Sequence, residues 1–538
     1  MKWQVMHVDL DDRNALSKRL GVPPIIATLL LNRGLDTEDK VREYLEPKLD
    51  DLHSPWRFSR MEQLVDDVRE SIDAGDKIVV WGDADADGRI ATVVLMTVLR
   101  YVGADVDYFI PDRYKKGFGL NREDVELLAS KGVRFIITVD CATNNKVIVD
   151  EAVKRWGMKV WVTDHHLPTS KDIADKLINP HVDGYPYEYL VGSGVAYKVA
   201  QAIATKLCGM DDMTWYEKFA HLMFITALGT IADRGYLLGE NRSLVKLGLE
   251  RGESLRHMEG GPFAYRMMAE RGTTYTAITN NVLPVINARD PEIAEGRDLV
   301  VEYFLTDERR AVIEILGRLE FLAQSWMRRL NFYLRSLSEF VDNSSRVVLL
   351  AHEDIPANLV GPLANKLREM YDKSAIVIGE HGKGEVRAVE GMNFFNILKE
   401  IQHMFSSFGG HPEACGFTTH PRLVPDVKKA ILERVPLTSH RVVLADGEFI
   451  PKFMTTEIFN YIKMMQPFGK GNPPPTFVAY RQKFNPVEKG VFIGKHFFYC
   501  PKEFRKEGYW DILYKITDRR ELVIIDARCG DEGSTHRA

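Results

Sequence analysis

The chain has 538 residues, 45% hydrophobic and 27% charged, with a formal net charge of −5. These are the proportions of a soluble globular protein. At roughly 150 residues per domain they exclude one hydrophobic core and call for three or four folding units. No apolar run approaches the ~20 residues needed to span a bilayer.

The N-terminus, MKWQVMHVDLDDRN, carries acids where a secretory leader carries a basic region and an apolar stretch. A cytoplasmic protein with no membrane partner is expected. Cys141, Cys208, Cys415, Cys500 and Cys529 show no C-x-x-C spacing. That argues against a thiolate zinc site or a disulfide framework and for free thiols. The slightly acidic balance gives no global sign of nucleic acid. A nucleic-acid-binding protein of this composition must concentrate its positive charge locally, with acids gathered elsewhere around cations.

Residues 1–70 read as a small helical region. KIVVW (77–81), the run around 106–110, RFIITV (134–139) and KVWVT (159–163) are short, β-branched and apolar, and helix-like segments separate them. Continuous apolar strands alternating with helices predict an α/β domain with a parallel sheet covered on both faces, over 71–305.

From Val312 to Phe340, apolar residues recur at intervals of three and four, which predicts a long amphipathic connecting helix over 306–342, capped by Thr306 or Asp307. RVVLLA (346–351) and SAIVIG (374–379) open a second, smaller α/β unit over 343–438. From 439 to 538, short strands and turn signals predict a small β-barrel.

The carboxylates fall where chemistry is expected. Asp83, Asp85 and Asp87 follow the first strand in GDADADG, Asp140 ends RFIITVD, and Asp164, His165 and His166 end KVWVTDHH. Ligands of parallel sheets bind beyond the carboxyl ends of the strands. Three strands therefore deliver acids and imidazoles to one edge, and Asp233 in ALGTIADRG adds a fourth contribution from the end of a helix.

Two carboxylates about 4 Å apart repel by roughly 4 kcal/mol at an effective dielectric near 20. Several such pairs would exceed a typical domain's stability of about 5–15 kcal/mol. Either some acids stay protonated or cations neutralise them. Many carboxylates with a few histidines suit Mn²⁺ or Mg²⁺ better than tetrahedral zinc. The acids suffice for two ions sharing a bridging carboxylate, an arrangement suited to phosphodiester hydrolysis.

At these residues the chain resembles the DHH phosphoesterase superfamily, and within it the RecJ-type single-strand exonucleases. FGGHPEACGF (408–417) is similar to the signature of the DHH-associated domain. QPFGKGNPPPTF (466–477) resembles the segment that leads into the family's oligonucleotide-binding barrel. The resemblance implies a metal-dependent phosphodiesterase with two divalent cations, Mn²⁺ preferred or Mg²⁺. Asp83, Asp85, Asp87, Asp140, Asp164, His165, His166 and Asp233 would form its metal site.

It further implies that Asp83, Asp85, His165, His166 and His411 take part in catalysis. Arg113, Arg387, Gly409, Gly410 and His411 would contact phosphate or DNA. The chain departs from the family at Glu385, where a serine is usual, and at Val285, where an arginine is usual. Arg289, four residues beyond Val285, is the candidate replacement. The implied role is hydrolysis of single-stranded DNA, 5′ to 3′, in recombination and repair, by a monomer working with a single-strand-binding protein or a helicase. A phosphodiesterase for short oligonucleotides or cyclic dinucleotides, and a non-catalytic DHH scaffold, are the rival readings.

Between 480 and 520 ten Lys or Arg stand against five acids, interleaved with Phe484, Phe492, Phe497, Phe498, Tyr499, Tyr509, Trp510 and Tyr514. A charged groove with stacking faces holds single strands without sequence choice. The long helix offers a second basic surface, equally readable as a solvated face.

Overall fold

The computed structural model describes residues 2–168, 173–258, 262–343, 346–389, 391–436 and 442–529. The chain divides into two compact units, Met1–Glu320 with Val442–Ala538, and Phe321–Arg441.

The first unit is built on five parallel strands: β1 (Lys77–Gly82), β2 (Val106–Phe109), β3 (Val133–Val139), β4 (Lys159–Thr163) and β5 (Leu177–Ile178). They are ordered β2-β1-β3-β4-β5. Successive side chains of a strand face opposite sides, so continuous apolar runs require cover on both. Val79, Trp81, Ile136, Val160 and Val162 share one core with the helices Arg122–Ser130 and Lys146–Trp156. Ile78, Val80, Phe135, Ile137 and Trp161 are fully buried on the alternate register. There the sheet meets α1 (Ala86–Tyr101) and α2 (Gly192–Cys208). Helices α3 (Ala220–Ala232) and α4 (Gly239–His257) extend that layer. At roughly 1.5–3 kcal/mol for each large apolar side chain buried, this two-sided burial holds the strand ends, and the acids on them, at one rim.

The C-terminal part of this unit is a closed barrel. Strand β6 (Gly447–Glu448) pairs onto β7 (Thr476–Val487). Strands β7, β8 (Gly490–Ile493), β9 (His496–Tyr499), β11 (Leu522–Cys529) and β10 (Gly508–Ile516) then form a ring in that order, closed by β7–β10. Every pairing in the ring is antiparallel except β9 with β11, as an OB-like barrel requires. Its core takes in Leu16, Ile26, Leu29 and Leu30 from the N-terminal helices. Those helices are Leu10–Leu20, Pro24–Leu31, Glu38–Leu45 and Met61–Asp73. The strand before them, Lys2–Val5, pairs in parallel with Val442–Ala445.

The long helix runs Arg309–Ser336, and a single 3₁₀ turn, Ser338–Phe340, follows it. In the second unit five strands are ordered Phe405–His411, Ala414–Thr419, Lys383–Arg387, Ala375–Ile378 and Val348–Ala351. Only the last two are parallel. Among the described residues no helix is long and apolar enough to cross a membrane. All five cysteines are free thiols.

Candidate metal centre

Strand β1 ends at Gly82, and the chain turns through Asp83 and Asp85 into α1. Asp85 caps that helix, its Oδ1 accepting from the Gly88 N–H at 3.1 Å. Acids at a helix N-terminus are favoured by the unpaired N–H groups and the helix dipole. Gly88 is required here: a Cβ would lie 2.6 Å from the Asp83 carbonyl oxygen. Asp87, in the first turn, is buried and accepts from the Ser193 N–H at 3.1 Å.

Asp140 follows β3 in a left-handed conformation, φ 60°, and its N–H donates to the Thr163 carbonyl at 3.0 Å. Aspartate tolerates this region better than most residues, and the turn drives its carboxylate into the rim. A Cβ on Gly192, at the start of α2, would overlap that carboxylate. Asp233 caps the C-terminus of α3.

Asp164, at the end of β4, is saturated with donors. Its Oδ1 accepts from the His165 N–H at 2.8 Å and lies 2.8 Å from His166 Nδ1, while Oδ2 accepts from the Thr143 N–H at 2.9 Å. An ionised carboxylate has no proton to give, so His166 Nδ1 holds a proton toward Asp164, and Nε2 gains a lone pair only when the imidazolium loses its second proton. Burial opposes the charge of Asp164. The His166 hydrogen bond and the nearby imidazoles outweigh it and hold the carboxyl well below its usual range. Burial likewise opposes the charge of His166, but Asp164, then Asp233 and Asp85, push it up to about 9. Burial and the neighbouring His166 push His165 down to about 4, so its imidazole is neutral at neutral pH.

Ligand atoms within 4.8 Å of one another form three overlapping groups: Asp83, Asp85 and Asp140; Asp87, His165 and Asp233; and Asp140, Asp164, His165 and His166. Asp140 and His165 each belong to two. His165 Nε2 stands 3.1 Å from Asp140 Oδ1 and 3.9 Å from Asp233 Oδ2. The structure therefore brings all eight of the expected acids and imidazoles together.

Their electrostatics match the crowding. Burial, then Asp85, pushes Asp83 and Asp233 up to about 6. Burial, then Asp233, raises Asp87 well above its ordinary value, and burial followed by Asp87, Asp85 and Asp83 does so for Asp140. Among the described residues the buried oxygens Asp87 Oδ2 and Asp140 Oδ1 accept no hydrogen bond, Asp140 Oδ1 having only the close approach of His165 Nε2. An unsatisfied buried charged group costs more than the ~1–3 kcal/mol of a neutral one. Divalent cations would satisfy both oxygens, and a set rich in oxygen with two imidazoles fits Mn²⁺ or Mg²⁺.

Arg113 flanks the acids, its Nη1 3.0 Å from Asp83 Oδ2 and 3.6 Å from Asp85 Oδ2. Arg289 pairs with Asp112 at 2.6 Å. In the second unit Arg387 Nη1 donates to Glu385 Oε2 at 2.8 Å. Gly409 and Gly410 lie across from Gly416 and Cys415 in the hairpin beside that strand. His411 ends the hairpin's first strand, and its side chain lies outside the described residues.

Residues 77–227 match the DHH family, N-terminal domain, and residues 343–436 match the DHHA1 domain. Two separate segments of the chain thus match DHH-type models. The chain is 30% identical over 517 residues to the single-stranded-DNA-specific exonuclease RecJ of Bacillus subtilis. That alignment covers 91% of this chain and 63% of the relative, so the chain spans less than two thirds of that protein's length. The crystal structure of Mn²⁺-bound RecJ from Thermus thermophilus superposes with a TM-score of 0.84 at 23% identity, covering 100% of this chain and 81% of the other. A manganese-bound exonuclease RecJ structure matches with a TM-score of 0.60 at 27% identity, covering 70% and 95%.

Several residues that position the DHH site carry no motif. Ser193 and Thr143 hold Asp87 and Asp164 through backbone N–H groups. The Asn179 side-chain amide donates to Thr143 Oγ1 at 3.0 Å and to the His166 carbonyl at 2.9 Å. Arg89 is buried, pairs with Asp298 at 2.9 Å and donates to the Ile286 carbonyl at 2.7 Å. It thereby ties the 284–288 segment to α1. Ser193 lies between Gly192 and Gly194, and that glycine pair was the one readable signal of close approach.

The barrel divides its aromatics between core and surface. Phe484, Phe498 and Tyr514 are fully buried, whereas Phe492, Tyr499 and Tyr509 are exposed. On β8 and β9, Phe492, Phe497 and Tyr499 lie edge to face, with centroids 5.6 and 5.0 Å apart.

Proposed function

We propose that the chain is a divalent-metal-dependent exonuclease that removes nucleotides from single-stranded DNA. The observation that carries this reading is the ring of eight acids and imidazoles closed around two buried carboxylate oxygens, Asp87 Oδ2 and Asp140 Oδ1, that accept no hydrogen bond among the described residues. The name of the B. subtilis relative and the manganese in the 27%-identical relative point the same way.

Asp83, Asp85, Asp87, Asp140, His165, His166 and Asp233 would hold two Mn²⁺ or Mg²⁺ ions, with Asp164 aiming His166 rather than ligating. Such a pair supplies an activated water at phosphorus and stabilises the departing oxygen. His166, with one proton held on Nδ1 by Asp164, would present Nε2 to a cation that displaces its second proton. Arg113, now on Asp83, turns to the phosphate once the acids are neutralised, and Arg289 stands behind it through Asp112. These cations suit a terminal phosphate, and a 5′-to-3′ direction is the one the resemblance implies.

The division of labour follows the elements: 71–305 for catalysis, 306–342 as the connecting helix, and 343–438 with Arg387 and His411 for phosphate. Residues 439–538 would bind the strand, with 1–70 as their support. Exposed Phe492 and Tyr499, with half-buried Phe497 between them, offer stacking faces worth about 1–3 kcal/mol per base. We place the protein in the cytoplasm as a monomer serving DNA recombination and repair beside a single-strand-binding protein or a helicase; its free thiols fit a reducing compartment.

The test is digestion of single strands labelled at either end, with and without a 5′ phosphate, in Mn²⁺. Mononucleotide release from the 5′ end is expected. Strands left intact with every divalent metal would overturn the reading.

A further inference from the structure

The loop after Asp233 and the glycine turn that leads into the barrel are folded onto one another. Asp233 closes α3, Arg234 takes a left-handed conformation at φ 56°, and the Gly235 N–H returns to the Thr230 carbonyl at 2.9 Å. This reversal leaves Arg234 exposed. Two residues on, the Leu237 N–H donates to the Lys470 carbonyl at 2.8 Å. Gly471, at φ 78°, lies against the Tyr236 ring so closely that a Cβ would stand 2.6 Å from it, and Gly469 meets Leu237 in the same way. The turn that carries Lys470 is thereby docked beside a metal-site residue, and five residues later the chain enters β7 at Thr476.

Three exposed side chains, Arg234, Lys470 and Tyr189, surround this joint. Arg234 and Lys470 are exposed, and among the described residues neither side chain makes a hydrogen bond or an ion pair. Arg234 follows Asp233 directly in the chain, and the Leu237–Lys470 hydrogen bond brings Lys470 to the same loop. Tyr189 is 50% exposed and stacks on Tyr236, centroids 5.2 Å apart and planes 30° from parallel. Tyr187 meets Tyr189 edge-on at 5.7 Å. The Tyr189 carbonyl accepts from the Asn241 side-chain amide at 2.6 Å, which anchors its main chain. The acids nearby are Glu188, which bonds the Tyr189 hydroxyl, and Asp518, which acts on Tyr275 at the same joint.

We propose that Arg234, Lys470 and the Tyr189–Tyr236 stack form a binding step for a single nucleic-acid strand between the metal centre and the barrel. The two cations take consecutive backbone phosphates and the exposed Tyr189 ring stacks a base. This rests on the nuclease reading for the identity of the ligand, but its residues lie outside the metal-binding and phosphate-binding sets. Phosphate pairing and ring stacking together are what hold single strands irrespective of sequence.

The test uses the full chain and a fluorescein-labelled dT oligonucleotide of about twenty residues, with anisotropy read in EDTA across a series of KCl concentrations. Each phosphate that the protein ceases to neutralise lowers the log–log salt slope by about 0.7, so Arg234→Ala with Lys470→Ala is expected to lower it by about 1.4. Tyr189→Ala should weaken binding by roughly five- to a hundredfold at unchanged slope, with Tyr189→Phe close to wild type. A double variant with the wild-type slope overturns the proposal, even if its Mn²⁺ affinity changes, because the cations would then serve only to offset the acids. Hydrolysis by the wild type in Mn²⁺ is scored separately. A chain that binds with the expected slopes yet cuts nothing refutes the nuclease reading and leaves this step standing.

Discussion

Glu385 Oε2 accepts a hydrogen bond from Arg387 Nη1 at 2.8 Å, two residues apart on one strand. Residues at this spacing share a face, and Gly416 directly opposite Glu385 leaves room for the pair. The glutamate that replaces the family's serine therefore does not simply repel phosphate. It occupies the arginine that would bind it.

Releasing Arg387 should strengthen phosphate binding. Exposed or half-exposed ion pairs are worth about 0.2–1 kcal/mol, so Glu385→Ser is expected to tighten binding of a 5′-phosphorylated oligonucleotide by up to about fivefold. Binding of the unphosphorylated strand should hardly change. Equal affinities for wild type and variant would show that Arg387 does not meet phosphate.

Asp164 is expected to act through His166. Asp164→Asn removes the charge that keeps the imidazole protonated, so the His166 titration, read by NMR of labelled histidine, should move down from about 9. Loss of such a partner behind a metal-binding histidine typically costs about 10–100-fold in metal affinity or activity. An unmoved titration would detach Asp164 from this role.

Arg89 and Asp298 are both buried, and Asp298 also caps the helix Leu299–Leu305. Removing one partner of such a pair strands the other charge at a cost of about 3–5 kcal/mol. Arg89→Met should lower the denaturant midpoint accordingly, and Arg89→Met with Asp298→Asn should recover part of the loss. A single variant as stable as wild type would contradict the pairing.

Metal and protons compete for the same oxygens. Asp83 and Asp233 titrate near 6 in the folded chain against about 3.8 when unfolded. A raised carboxyl favours folding below its unfolded value, and that contribution is lost as pH rises through the folded one. Between about pH 4 and 6 these two groups therefore make the metal-free fold less stable, while ionisation makes the site a better cation ligand. The increase in melting temperature on adding Mn²⁺ should grow from pH 5 to pH 7. An increment independent of pH would place the ion elsewhere.

Much of the site was legible because four of its six acids close an apolar run, Asp83 after β1, Asp140 after β3, Asp164 after β4 and Asp233 after α3, and Asp85 and Asp87 follow Asp83 directly. Strand periodicity and the crevice rule suffice to bring them to one rim. Their separate roles were not legible. Asp164 reads as one more ligand, and that its oxygens also accept from the Thr143 and His165 N–H groups and face His166 depends on turn geometry. Equally hidden was the pairing of Lys2–Val5 with Val442–Ala445, since no local pattern announces a partner over four hundred residues away. The barrel's aromatics follow one composition, yet Phe484 and Phe498 fill its core while Phe492 and Tyr499 face outward. Only the register of β7 to β9 separates them.

The most direct measurement is calorimetric titration of Mn²⁺ into metal-free protein at pH 7, wild type beside Asp140→Asn. Asp140 belongs to two of the three ligand groups, so about two ions per wild-type chain are predicted, with most of the binding heat lost in the variant. A wild-type chain that takes up no Mn²⁺, or a variant that binds it as well as wild type, would contradict the account.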